Sequence, residues 1–155
     1  MPHTSQIDAY LAGVDQLQAA IAGMTAEQLD AAPAEGKWST RQVICHLADF
    51  EPVYLDRITR IIAEDEPSFF SGDPDLFAAR LAYAQRDLAE EMQLIGAVRR
   101  HLARILRTLP AADFQRRGNH SADGPVTLEK LLRHITAHIP HHLPFIAEKR
   151  RLLGC

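Results

Sequence analysis

The stretch LLRHITAHIPHHLPFIAEKR, residues 131–150, decides how the rest of the chain is read. Leu131, Leu132, Ile135, Ile139, Leu143 and Ile146 recur at three- and four-residue spacing, the mark of one face of a helix turning about 100° per residue. Four of the chain's eight histidines share the stretch: His134, His138, His141 and His142. Pro140 and Pro144 interrupt it, since each lacks the N–H of a ladder bond and Pro140 disfavours helical geometry at Ile139. The stretch therefore reads as a helix that the prolines distort around its histidines.

Three further stretches carry the same spacing. The first runs from about Ser5 to Met24, with Ile7, Leu11, Val14, Leu17 and Ile21 on one stripe and Thr4 or Ser5 as its N-cap. TAEQLDAAPAEGKW (25–38) reads as a short helical turn and a Pro/Gly connector. Ser39 or Thr40 then opens a second helix to about Ala63, turning Val43, Leu47, Phe50, Tyr54, Ile58 and Ile61 inward, with a kink or a local opening of the backbone ladder predicted at Pro52. After the turn-rich EDEPSFFSGDPD (64–75), Asp73-Pro74 starts a long third helix that ends at Pro110. Its stripe runs from Leu81 to Leu109, with Arg99, Arg100, Arg104 and Arg107 off it. AADFQRRGNHSADGPV (111–126) shows no periodicity and reads as a long loop, after which Thr127 caps the fourth helix. No useful stretch alternates with period two, so the expected fold is all-α, a four-helix bundle forming one domain over residues 1–155.

Seventeen Lys and Arg against twenty Asp and Glu give a net charge of -3 without a long run of either sign, which argues against nucleic acid or an anionic membrane as partner. Cys45 and Cys155 are too few for a disulfide framework and fit a reducing, cytoplasmic setting. The N-terminus lacks the pattern of a signal peptide, and no apolar run approaches the ~18 residues of a membrane span.

Measured from the stripe of the fourth helix, His142 lies about 40° and His138 about 80° away on the same side, whereas His134 and His141 lie beyond about 120°. His138 and His142 thus edge the core, and their i, i+4 spacing lets two ring nitrogens share one ion. His46, the only histidine of the second helix, is the candidate third ligand. Three imidazoles around Zn²⁺ or Ni²⁺ leave a position open, as in catalytic metal sites. His134 is the alternative ligand, because no proline separates it from His138. Asp49, three residues after His46, is a candidate base, fourth ligand or anchor for an imidazole, and His120 in the long loop is a candidate acid/base group. Glu51 stands too far around the helix from His46 to be a good base. Arg57, or an arginine of the third helix, is a candidate for holding an anionic group of the substrate. Cys45 reads as a packed residue, Trp38, Phe69 and Phe70 as packing or pocket walls, and His3 and His101 as exposed.

KWSTRQVICHLADFEPVYLDRI and, at a distance, GPVTLEKLLRHITAHIPHHLPFI together resemble the DinB-like family of bacterial four-helix bundles. The matching features are Trp38-Ser39, His46, the Gly124-to-Leu128 entry to the last helix, and the His138/His142 pair. The resemblance implies a metal triad of His46, His138 and His142, a homodimer, and chemistry on a small-molecule substrate of the hydrolase type or the thiol-transferase type, the latter with a low-molecular-weight thiol as cofactor. The competing readings are a bundle that binds metal without turnover, as in a stress-related interaction protein, and a scaffold with structural histidines.

Overall fold

A computed structural model describes residues 3–155. In chain order the helices are α1 (Thr4–Ile21), the short α2 (Ala26–Asp30), α3 (Thr40–Ala63), the short α4 (Pro74–Arg80), α5 (Leu88–Leu106) and α6 (Leu128–Leu153). The four long ones form a four-helix bundle. Local chemistry sets their starts. The Ser39 hydroxyl accepts from Gln42 N while the Gln42 side chain accepts from Ser39 N, a reciprocal cap that fixes the entry to α3. Thr127 Oγ1 accepts from Lys130 N at the start of α6, and Gly154, at φ 72°, ends it in the left-handed region.

α1 packs against α5 and α6, and α3 packs against the same two helices. The consecutive long helices α1 and α3 therefore stand diagonally across the bundle rather than side by side. One part of the core gathers Ile7, Tyr10, Ile58, Leu102, Phe114 and Ile135, and another gathers Leu17, Ile44, Leu47, Ile95, Ile139 and Ile146. Where they meet, Arg99 is completely buried. This corrects the expectation that Arg99 lies off the stripe. It stands four residues after Ile95 and three before Leu102, which is the spacing of the buried face itself.

Three other elements differ from the sequence reading. Position 3, not Thr4 or Ser5, caps α1: His3 adopts φ 62° and half-buries its ring against Phe114, with centroids 3.9 Å apart. The long third helix is two. The chain leaves α4, passes through Ala82 at φ 53° and a 3₁₀ turn over Tyr83–Gln85, and restarts α5 where Asp87 accepts from Ala89 N and Glu90 N. Tyr83 and Leu88 both face inward, so the aliphatic spacing runs on through a break in the backbone.

The expected long loop is structured too. It forms a 3₁₀ turn (Ala111–Gln115) burying Phe114, then a hairpin that joins an earlier short strand. Here β1 (Ser68–Phe69) pairs in parallel with β2 (Arg117–His120), which pairs antiparallel with β3 (Gly124–Thr127). Runs of two to four residues are too short to show alternation. Gly118 is required there because a Cβ would come within 2.6 Å of the Phe69 ring.

Pro140 and Pro144 do not break α6, which runs through both. They stand one turn apart on the exposed side, where water can reach the carbonyls left without ladder partners. Pro52 is likewise exposed within the continuous α3. Among the described residues no helix is long and apolar enough to cross a membrane.

Candidate metal centre

His46 lies two turns into α3, and His138 and His142 lie on successive turns of α6 facing it. Helix pairing thus joins residues 92 positions apart: His46 Nε2 and His138 Nε2 are 2.9 Å from each other. One nitrogen from each of the three rings falls within a set no wider than 4.8 Å. Among the described residues this is the one cluster of three or more metal-ligating side chains so disposed.

Burial pulls all three imidazoles below the ordinary histidine range, His46 and His142 to about 4 and His138 to about 3, with the neighbouring rings adding to the effect for His138 and His142. Near pH 7 they are neutral and offer lone pairs.

An ion at the point of convergence would replace the close contact between His46 Nε2 and His138 Nε2. A neutral imidazole carries one N–H, so the Nε2–Nε2 contact uses one proton and one lone pair; Nδ1 of His46 and of His138 are both buried without a partner. Ligand nitrogens ~2.0 Å from a tetrahedral ion stand about 3.3 Å apart, inside the spread of 2.9 to 4.8 Å seen here. The donor set fits a divalent cation.

Aromatic rings wall the triad. Trp38 and Phe50 flank His46, with centroids 5.1 and 4.9 Å away, and Phe77 backs Phe50 at 5.2 Å. On the open side a groove of about 440 Å³ runs past His142, lined by Trp38, Phe145 and Leu152 with Lys37 and Lys149.

The remaining sequence candidates lie outside the cluster. Asp49 is on α3 beyond His46, paired with Arg86 at 2.8 Å, and Arg86 also grips Glu91. His120 is in β2 beside Phe69, its Nδ1 accepting from the backbone N–H groups of Ala122 and Asp123. His134, the alternative ligand, and His141 are both exposed. Burial raises the Cys45 thiol to about 11, and its sulfur points to the Tyr83 carbonyl, as expected of a packed residue. Arg57 donates to the Phe70 carbonyl and lies over Tyr54 and Phe69, so it holds β1 to α3. Glu51 is in the core, where burial pushes its carboxyl up and Arg99 pulls it down.

Two features of the site have no counterpart in the sequence reading. One is Lys149, two turns beyond His142, buried at 7 % exposure; its place in the i, i+3, i+4 series with Ile146 could have shown it facing inward. The other is the set of carbonyl contacts around Arg99, which spacing alone does not show.

A four-helix bundle in which three neutral histidines converge is an arrangement that could hold a metal ion, and it has relatives of known structure. The DinB superfamily profile matches residues 9–146, and the chain belongs to that family. A protein of Oceanobacillus iheyensis is 31% identical over 120 residues, 77% of this chain and 69% of its own length. YfiT of Bacillus subtilis is 29% identical over 140 residues, 90% of this chain and 79% of its own. Both carry the name "putative metal-dependent hydrolase". The solved structure of YfiT, described as a probable metal-dependent hydrolase with an unusual four-helix bundle topology, matches with a TM-score of 0.89 at 27% identity, covering 97% of this chain and 86% of that one.

Proposed function

We propose that this protein is a metal-dependent hydrolase of small molecules, with His46, His138 and His142 holding one divalent cation. The observation that carries the reading is the convergence of three neutral imidazoles from two helices, with one nitrogen of each ring within 4.8 Å of the others. The names of the relatives support it. When bound, a divalent cation supplies a Lewis acid that polarises a substrate carbonyl and makes water or a thiol acidic enough to attack near neutral pH.

The chain's own residues do the rest. The three histidines would hold the ion without a fourth protein ligand from the cluster, and His142 lines the groove beside it. Trp38 and Phe50 exclude water from behind His46. Asp49 and His120 are the acid/base candidates of this reading. Any proton taken up by Asp49 competes with its Arg86 pair, and His120 would act through Nε2 because its Nδ1 already accepts two N–H bonds.

Zn²⁺ and Ni²⁺ are the ions that this reading favours, since three nitrogens suit both. The same site would activate a low-molecular-weight thiol if the chemistry is transfer rather than hydrolysis. A homodimer belongs to the reading as well, and Phe70, 80% exposed, supports it as an apolar contact point. The test is metal content of tag-free protein, followed by ester, amide and thiol-transfer assays on loaded protein. One ion per chain and hydrolysis abolished by chelation are expected; no ion after exposure to Zn²⁺ and Ni²⁺ would overturn the proposal.

A further inference from the structure

The groove beside His142 contains a charge without an answer. Lys149 is 7% exposed, yet its ammonium finds only the carbonyl of Phe145, one turn back on its own helix, at 3.3 Å. Among the described residues no carboxylate pairs with it. An ammonium has three hydrogens to donate, and one carbonyl on its own helix leaves Lys149 with capacity for an anionic partner. Burial and the charge of Lys37 pull its pKa down, and the charge of an anion seated beside the two lysines would offset that shift.

The acidic groups near the groove do not fill this role. Glu148 is exposed and accepts two hydrogen bonds from Arg151, at 2.7 and 2.8 Å. Asp75 lines the groove from the first turn of α4 but makes no ion pair with either lysine. The walls include apolar Trp38, Phe145 and Leu152, the last two half-exposed. The volume of about 440 Å³ suits a small organic molecule.

We infer that the groove is a subsite for an amphipathic small anion, whose carboxylate is held by Lys149 and Lys37 while its apolar body lies against Trp38 and Phe145 with its far end toward His142. The inference deepens the hydrolase reading by naming a substrate class, and it rests on that reading. Lys149 is then a specificity residue, and the Arg57 and third-helix arginines expected from sequence play no part in it.

The chain's single tryptophan, Trp38, lines this groove, so its fluorescence reports occupancy. The probes are 3-phenylpropanoate and its neutral isostere 3-phenylpropanamide, titrated into Zn²⁺-loaded and chelator-treated protein. The carboxylate is expected to bind about tenfold tighter than the amide in both forms, and Lys149→Met, which keeps an unbranched apolar stem without the ammonium, should abolish the preference, with Lys37→Met reducing it. Equal affinities in wild type overturn the subsite without recourse to any variant. A preference seen only with Zn²⁺ present also overturns it, because the anion then sits on the metal, and so does a preference that survives Lys149→Met. Metal content, read separately, shows whether the hydrolase reading has failed instead: an anion preference in protein that takes up no metal would leave the subsite standing and remove the enzyme.

Discussion

Arg99 of α5 and Glu51 of α3 form an ion pair wholly out of solvent, with Nε and Nη2 both donating to Oε1 at 2.8 and 2.5 Å. The guanidinium also donates to the carbonyls of Tyr10 in α1 and Ile135 in α6, while the Tyr10 hydroxyl donates to the other Glu51 oxygen. One side chain thus touches all four long helices. Ile135 lies one turn before His138, so the network fixes the part of α6 that presents the triad.

Breaking this pair from one side should be costly. Arg99→Met strands the Glu51 carboxylate, and Glu51→Leu strands the guanidinium, each costing about 3–5 kcal/mol. The double variant should recover much of that loss, because it buries no unpaired charge. Urea unfolding of the four proteins measures the coupling; strictly additive losses would mean that the pair is not a unit.

The metal site predicts a pattern across variants. His46→Ala, His138→Ala and His142→Ala should each lose near-stoichiometric metal while keeping most helicity, and His134→Ala should keep it. Elemental analysis with far-UV circular dichroism reads both quantities. Retention of metal by His142→Ala together with loss by His134→Ala would move the site one turn along α6.

Metal-free protein should lose stability on acidification. The triad histidines have folded pKa values of about 4, 3 and 4, below the 6.5 of an unfolded histidine, so the unfolded chain binds more protons over that interval. The histidine contribution is fully present above about 6.5 and is lost as pH falls toward 4. Chemical denaturation from pH 4 to 8 should show this slope, and His138→Gln should flatten it relative to wild type. An unchanged slope would place the histidines in a more solvated setting.

Pro140→Ala should stabilise the bundle by about 1 kcal/mol, since it restores one ladder bond and a good helix former while giving back some freedom to the unfolded chain. Metal binding should persist, because Pro140 points away from the triad. A thermal melt decides the sign.

Much of this was legible in the sequence, for reasons that are local. Ser39 and Thr127 are caps whose partners stand three residues on, and the stripes around Val43, Ile95 and Ile135 repeat at helical spacing, so the four long helices could be read off. The angles of His138 and His142 from the stripe placed them at the core edge, with His134 and His141 outside. What escaped was long-range. Arginine suggests a solvated face, and only the Glu51 carboxylate, 48 residues away, explains why Arg99 is inside. Lys149 was lost to the same habit. The hairpin was missed because β1 and β2, about 50 residues apart, complete each other in runs too short to carry a pattern.

The diagonal placement of α1 and α3 bears on how the protein is made. A chain emerging from the ribosome delivers these two helices first, yet they share no broad seam, and each needs α5 and α6 to cover its apolar face. No helical hairpin can therefore close early from the N-terminal half. The bundle must wait for α6, which carries two of the three histidines, so the site forms only when all four long helices have come together and an ion bound there would mark a closed bundle.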